Sequence, residues 1–384
     1  MSPRNGNAGA GLASGSVLIT GGAGFVGSHL ADELLEHGYR VRVLDNLDAQ
    51  VHGDAIARPA YLNPEVELLR GDVRDRAAVN RALRGVEAVF HFAAAVGVGQ
   101  SMYEIERYTD VNNRGTAVLL EALSAAPVQR LIVASSMSVY GEGRCRAPDG
   151  TLVDPPERSP ERLRMGDFEL RDADSQPLTP IPTPEEKPSV PTSVYALSKL
   201  DQERLCLMIG HAYGVPAVAL RFFNIYGTRQ ALSNPYTGVL AIFASRYLNQ
   251  RAPMIFEDGL QRRDFVNVRD VARACRLALQ TDDIGGSVIN VGSGRSISIL
   301  GVAAAMAQAL AIEDQPPQVT RKVRVGDIRH CFADIALAAE LLGYVPQVSL
   351  TDGLSELVDW MLGQRAFDRV DAAAEELAKR GLRL

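Results

Sequence analysis

The feature that most narrows the possible folds is the run Thr20-Gly21-Gly22-Ala23-Gly24-Phe25-Val26-Gly27. It follows a short apolar stretch, Val17 to Thr20, and opens a helical pattern from Phe25 to His37. Glycines at 21, 24 and 27 permit a tight turn, a close backbone approach to a pyrophosphate, and tight helix–strand packing. The N-terminus of the following helix then offers unpaired N–H groups and a partial positive charge to phosphate oxygens. Arg40 to Asp45 alternates like a second strand and ends on a carboxylate 24 residues after Gly21. A carboxylate there accepts from both ribose hydroxyls and repels a 2′-phosphate, and the following Asn46 and Leu47 supply no arginine to attract one. The pattern predicts a site for NAD rather than NADP, touched by Gly21, Gly24, Phe25, Val26, Gly27, Asp45 and Asn46.

The rest of the chain repeats the same rhythm. Strand-like runs stand at Val66–Leu69, Ala88–Phe92, Leu131–Ala134, Ala217–Phe222 and Ser287–Val291, with helix-period segments such as Tyr103–Leu123 and Val194–Tyr213 between them. Strands alternating with helices argue for an α/β fold, a Rossmann-type doubly wound parallel sheet covered on both faces. Asp72 and Val73 follow the third strand, where a carboxylate can meet an adenine amine. Asp72 also stands where it could cap a helix over Arg74–Leu83. From Arg229 the alternation loosens into shorter elements. The expected organisation is therefore a disordered tail over residues 1–16, a dinucleotide domain over 17–228, and a smaller substrate-binding lobe over 229–384. Residues 142–191 break the rhythm, with 10 of the 20 prolines and many Arg, Asp and Glu residues. Proline removes donors from helix and sheet ladders, so this insert is expected to hold neither sheet strand nor long helix. It reads as an exposed loop, or as a lid, because a strand end and a helix flank it.

Composition closes off other classes. Forty Lys and Arg against 46 Asp and Glu give a net charge of −6, with no basic face to replace counterions, so no nucleic-acid partner is expected. No apolar run is long enough for a membrane span, and the first residues lack a signal-peptide core. Cys145, Cys206, Cys275 and Cys331 are far apart, which suggests neither a disulfide framework nor a metal site and points to a reduced, cytoplasmic chain.

Tyr195-Ala-Leu-Ser-Lys199 sets a phenol and an ammonium at i and i+4 on one helix face. A free tyrosine, with a pKa of about 10, is a poor base at neutral pH. A neighbouring cation favours the phenolate. Upstream, Ser135-Ser136-Met137-Ser138-Val139-Tyr140-Gly141 follows a strand. With the glycine run, His91-Phe92-Ala93-Ala94 and Arg221-Phe222-Phe223-Asn224, these motifs resemble the extended short-chain dehydrogenase/reductase family, in its NAD-dependent sugar-nucleotide epimerase/dehydratase branch. The resemblance spans about Val17 to Leu342, interrupted by the insert. It implies Tyr195 as base, Lys199 on the nicotinamide ribose, Ser136 on the reacting sugar hydroxyl, and Ala93 and Asn112 on the cofactor. It also implies a homodimer paired through Tyr103–Leu123 and Val194–Tyr213.

One departure from the family pattern narrows the chemistry. Dehydrating members carry an Asp-Glu pair where this chain has Met137 and Ser138, and decarboxylating members carry Glu at the second position. A thioether has no proton to give, which leaves transient oxidation with hydride return, or net oxidoreduction. On the substrate side the resemblance implies that Asn224 and Ser138 line the sugar-nucleotide site. It also implies that Arg263 and Arg324 clamp the diphosphate and Asp327 the ribose, with Cys331 beside the sugar. Gly97–Tyr108, the insert and Gln230–Tyr236 resemble bacterial proteins grouped as dTDP-L-rhamnose 4-epimerases. The expected partner is a nucleotide-diphosphate sugar and the expected reaction 4-epimerisation through a 4-keto intermediate. UDP-hexose or UDP-uronate epimerisation, 4-keto-sugar reduction, and a non-catalytic NAD sensor remain open alternatives.

Overall fold

The structure is a computed structural model and describes residues 12, 14–53, 57–236, 238–312, 315–324, 326–364 and 368–383. Most of the tail predicted for residues 1–16 lies outside them. Leu12 does not behave as tail: it is buried, and its carbonyl accepts the Tyr39 hydroxyl. Ser16 already belongs to the first strand.

The chain begins β1 (Ser16–Thr20), α1 (Phe25–Glu36), β2 (Arg40–Asp45), α2 (Ala49–His52), β3 (Glu67–Arg70), α3 (Arg76–Ala82) and β4 (Ala88–His91). After α4 (Val98–Ser101) and α5 (Ile105–Tyr108), a π-helical turn over Thr109–Arg114 leads into α6 (Gly115–Ala125) and β5 (Arg130–Ser136). The helix expected from Tyr103 thus begins at Ile105 and carries a π-turn in its middle.

The proline-rich insert is more ordered than its composition suggests. It holds β6 (Cys145–Arg146), β7 (Leu152–Val153), α7 (Pro160–Arg164) and β8 (Thr179–Pro180), and β7 and β8 flank β6 antiparallel. Three short strands correct the expectation that no strand forms there. The one strand proline, Pro180, stands in edge strand β8, where a missing donor costs no ladder bond. Cys145, Leu170 and Leu178 form a small apolar cluster beneath them.

Beyond the insert come α8 (Val194–Tyr213), β9 (Ala217–Phe222), β10 (Asn224–Tyr226), α9 (Val239–Leu248), β11 (Met254–Ile255), β12 (Arg262–Asn267), α10 (Val268–Gln280) and β13 (Val288–Val291). The chain ends with β14 (Ser296–Ser298), α11 (Ile299–Ala309), β15 (Gln318–Val319), β16 (His330–Cys331), α12 (Ala336–Leu342), α13 (Leu350–Leu362) and α14 (Val370–Lys379). Seven parallel strands form the central sheet in the order β3-β2-β1-β4-β5-β9-β13. The order reverses between β1 and β4, and ligands of such sheets bind in that crevice. A second sheet of β10, β12, β14 and β16, with α9, α11 and α13, builds a separate apolar core around Phe243, Val302 and Leu357. A division at residue 228 is too simple. β13 completes the central sheet, and Val271, Cys275, Ile289 and Leu342 join its core, because the exposed face of β9 needs a covering strand and helix.

One buried ion pair fixes α8 against the sheet. Glu203 is inaccessible to solvent, and its carboxylate accepts from Arg221 Nε at 2.9 Å and Nη2 at 2.7 Å and from Ser135 Oγ at 2.7 Å. Removing one partner of such a pair leaves an uncompensated buried charge. Glu203→Ala is expected to lower stability by about 3–5 kcal/mol. Denaturant unfolding checks this, and a loss under about 1 kcal/mol would show that the pair does not anchor the helix.

Candidate active site

The strand–turn–helix unit at residues 20–27 is built by close approach. Gly21 has φ +69°, and a Cβ there would lie 2.8 Å from the Ala93 nitrogen. A Cβ on Gly27 would lie 2.5 Å from the Gly22 Cα, so α1 packs on its own turn only without side chains. Gly24 differs: an added Cβ would meet only the Gly21 oxygen, at 3.3 Å, and otherwise open space on the cavity side. That cradle is what a dinucleotide pyrophosphate requires.

A cavity of about 490 Å³ runs along the C-terminal ends of the strands. Gly21, Gly24, Phe25, Val26 and Gly27 line it from the first turn, and Asp45, Asn46, Asp72, Val73 and Ala93 from the ends of β2, β3 and β4. Ser136, Ser138, Tyr195, Lys199 and Asn224 line its other half. Residues given no role in the sequence reading also stand on the wall: Asp48 and Gln50, with Gln100 and Arg107 from the Gly97–Tyr108 stretch and Asn234 and Tyr236 from the Gln230–Tyr236 stretch. Gln50 donates to Gln100 Oε1 at 3.0 Å and to Asn234 Oδ1 at 3.2 Å, and Arg107 donates to Gln50 Oε1 at 2.8 Å. These contacts tie the segment after β2 to the loop before α9, a pairing with no local signal in sequence.

Asp45 receives the Ala23 N–H at 3.0 Å and the Leu47 N–H at 2.8 Å, while burial pushes its carboxyl above the usual carboxylate range. Asp72 is not the helix cap: Asp75 caps α3 by accepting from Ala77. Asp72 instead accepts from the Arg74 side chain at 2.7 and 2.9 Å, and this pairing holds its carboxyl down at about 2. The residues present fit NAD: an open glycine cradle, a carboxylate at the end of β2, and a lysine one helical turn beyond a cavity-facing tyrosine.

At the reacting end, Ser136 caps a 3₁₀ turn over Met137–Tyr140 by accepting from the Ser138 N–H at 3.2 Å. Tyr195 sits in the first turn of α8, its N–H donating to Ser101 Oγ at 3.0 Å and its ring edge-on to Tyr108. Burial raises the Tyr195 phenol above its ordinary value, and a hydrogen bond with Ser136 opposes that rise. The Lys199 ammonium, pulled down to about 8 by burial, donates to Gln202 Oε1 at 2.7 Å. The expected lowering of Tyr195 by Lys199 is therefore not seen in the protein alone, where the lysine is engaged elsewhere. Asn224 Oδ1 is buried without a partner at the cavity wall. No metal-binding cluster of His, Cys, Asp or Glu occurs among the described residues.

Five predicted contacts stand off the cavity: Asn112, Arg263, Arg324, Asp327 and the buried Cys331. Asn112 is buried and exchanges hydrogen bonds with the Ala95 backbone at 2.7 and 3.1 Å, so it shapes the wall through Ala95. The Arg263 guanidinium donates to the carbonyls of Arg262, Ile328 and Arg329. Arg324 pairs with Asp327 at 2.8 Å and stacks over the Phe256 ring at 4.5 Å. Backbone carbonyls and neighbouring rings satisfy these groups here, which a motif match cannot foresee. Nor does the insert reach the wall: no residue between 142 and 191 lines the cavity. Instead Arg158 binds it to the second core, pairing with Glu142 at 3.2 Å and Glu257 at 2.8 Å. The lid reading thus finds no contact with the cavity.

Gly24→Val is expected to fill the cradle while leaving the fold intact, since an added Cβ meets a single backbone atom at 3.3 Å. Purified variant should carry no NAD, with a Tm equal to that of wild type stripped of its cofactor. Cofactor content equal to wild type would remove the glycine turn from the site.

Comparison with known proteins agrees with this geometry. Residues 17–162 and 172–292 match the NAD dependent epimerase/dehydratase family. A dTDP-L-rhamnose 4-epimerase of Burkholderia thailandensis is 36% identical over 350 residues, covering 90% of this chain and 94% of that protein. The UDP-glucose 4-epimerase of Thermotoga maritima, solved with UDP-glucose, superposes with a TM-score of 0.74 at 31% identity, over 90% of this chain and 98% of the other. A variant of UDP-glucuronic acid 4-epimerase from Bacillus cereus, solved with a fluorinated UDP-glucuronic acid and NAD, gives 0.73 at 28%, over 90% and 99%. The chain belongs to the NAD dependent epimerase/dehydratase family and is an enzyme of its NAD-dependent sugar-nucleotide epimerase type.

Proposed function

We propose that the chain inverts C4 of a neutral nucleotide-diphosphate sugar, with dTDP-L-rhamnose and dTDP-6-deoxy-L-talose as the interconverted pair. The observation that carries the reaction is the meeting of Ser136, Tyr195 and Lys199 on one cavity wall beside the glycine cradle. When bound, NAD would supply the hydride acceptor and donor that inversion at C4 needs. Tyr195 takes the hydroxyl proton and later gives it back, while Ser136 holds the reacting oxygen. Lys199 orients the cofactor ribose and supports negative charge on Tyr195. Met137 and Ser138 offer no carboxyl to drive water loss, which favours epimerisation over dehydration.

The wall bears on the sugar as well. Among the described residues its Lys and Arg groups are Lys199 and Arg107, and Arg107 is paired with Glu104 and Asp48 at 2.9 and 3.2 Å. A uronate carboxylate would meet no unpaired cation besides the catalytic lysine, so a neutral sugar is favoured. The Burkholderia relative supports the rhamnose reading within that class. For the diphosphate, Arg263 and Arg324 exchange their present carbonyl and carboxylate partners for phosphate oxygens, with Asp327 released toward the ribose. Charge-assisted bonds to phosphate are stronger than bonds to neutral carbonyls.

Two copies of the chain pair through α8 and α6. Leu197 and Met208 support this, since both stay at least half exposed on α8. Sedimentation is expected to give twice the 41.4 kDa chain mass, and a monomer would dismiss the pairing.

Proton NMR of the purified enzyme with dTDP-L-rhamnose and no added cofactor tests the reaction. A second dTDP-6-deoxyhexose should appear at a fixed ratio. Tyr195→Phe should lower the rate by about 10²–10⁴-fold with NAD still bound. An unchanged anomeric region with the wild type would sink the rhamnose reading, and an active Tyr195→Phe enzyme would sink the base.

A further inference from the structure

Behind Lys199 lies a chain of buried polar side chains that the reaction itself does not use. Gln202 is one turn further along α8 and fully buried. Its Nε2 donates to Thr116 Oγ1 at 2.9 Å and to the Ala93 carbonyl at 3.5 Å and lies 3.2 Å from His91 Nε2, while its Oε1 accepts from Lys199 Nζ at 2.7 Å. The orientation of this amide is set by a hydrogen-bonded chain that begins at Thr20. The Phe92 and Ala93 N–H groups both donate to Thr20 Oγ1 at 3.2 Å, so its remaining proton goes to His91 Nδ1 at 2.8 Å. His91 is neutral, because burial and the Lys199 charge bring it down to about 3. Its single proton therefore sits on Nε2 and is donated to Thr116 Oγ1 at 2.8 Å. Thr116 in turn gives its own proton to the Asn112 carbonyl at 2.5 Å. Every group facing the far side of Gln202 is then an acceptor or an occupied donor. The Lys199 ammonium can only donate, so the amide oxygen must face it, and the amide nitrogen then faces Thr116 Oγ1 and the Ala93 carbonyl, which accept.

We propose that Gln202 is a positioning residue for catalysis: its amide oxygen, locked by the Thr20–His91–Thr116 chain, is a fixed acceptor that holds the Lys199 ammonium in place behind Tyr195. The catalytic half of this statement rests on the role of Lys199 proposed above; the geometric half does not. Other groups around the lysine cannot substitute for the amide. Tyr195 is neutral, and the Cys206 thiol is pushed up to about 12 by burial. Glu203, on the same helix, is committed to Arg221 of β9 and Ser135 of β5, and His91 of β4 carries no charge. Without the amide oxygen, a buried ammonium already lowered to about 8 loses its hydrogen-bond acceptor and falls further.

The test uses Gln202→Met, which keeps the length and removes the amide, and Thr116→Val, which keeps the amide but frees it to turn. Competitive acetylation across pH, read by mass spectrometry at the Lys199 peptide, reports the lysine directly, with Lys187 as internal reference. The Lys199 midpoint should fall by about one pH unit in Gln202→Met, given typical strengths of hydrogen bonds to charged groups, and by less in Thr116→Val. Lys187 should not move. The alkaline limb of kcat/KM should shift down with it, by about tenfold in rate one unit above the new midpoint, at unchanged KM. A Lys199 midpoint equal to wild type in both variants overturns the proposal. A shifted midpoint with an unshifted rate profile leaves the geometry standing and overturns the catalytic role given to Lys199.

Discussion

The carboxylate of Glu203 is the point on which the catalytic half of the molecule depends. It is fully buried, and it gathers donors from two neighbouring strands, Ser135 of β5 and Arg221 of β9, onto a residue of α8. A buried carboxylate is costly unless its lone pairs are filled, and three short hydrogen bonds fill them here. The consequence reaches the reacting atoms directly. Lys199 lies one turn before Glu203, and Tyr195 one turn before that, so the pair that locks the helix also sets the height of the phenol over the cavity. Ser136 is next to Ser135 on the same strand. One ionic contact thus fixes the relative positions of all three groups assigned to proton transfer, and catalysis by positioned groups tolerates little slack.

The parts of this arrangement that local spacing encodes were legible in the sequence. The glycine run is contiguous in the sequence, although the backbone that crowds Gly21 belongs to distant Ala93, and Tyr195 and Lys199 share a face because a helix places i and i+4 together. Asp45 ends a strand whose alternation is visible by eye. What escaped is set by partners far along the chain. Asn112 looks like a cofactor contact until Ala95 takes its amide. Arg263 and Arg324 match binding motifs, yet carbonyls at 328 and 329 and the Phe256 ring receive them in this structure. The insert misled for a related reason. Its prolines do exclude long ladders, but strands of two residues need few donors, and Pro180 occupies an edge. Its abundant charge looked like solvent exposure, whereas Arg158 is buried between Glu142 and Glu257. Charge counts cannot distinguish a solvated side chain from one half of a buried pair.

The electrostatics of the cavity explain why these distant details matter for function. A sheet covered on both faces excludes water from the strand ends, so each ionisable group there pays for its charge through specific partners alone. Asp72 has Arg74 and is held ionised; Asp45 has backbone donors and His52 at 3.8 Å, yet burial pushes it the other way. Tyr195 feels burial on one side and Ser136 on the other, with burial the larger effect. Its phenol is therefore neutral in the protein alone, and a base made from it depends on whichever positive charge stands closest. Among the described residues Lys199 is the one lysine or arginine on that stretch of wall, and its own charge is weakened by the same burial that affects the tyrosine. On the roles proposed for Tyr195 and Lys199, the acidity of the phenol follows from the protonation of the ammonium, and that from the acceptor proposed to be fixed behind it. On that proposal the site carries its pH dependence in residues that never touch the substrate, and the polar chain around Gln202 joins the chemistry of the tyrosine in front of it.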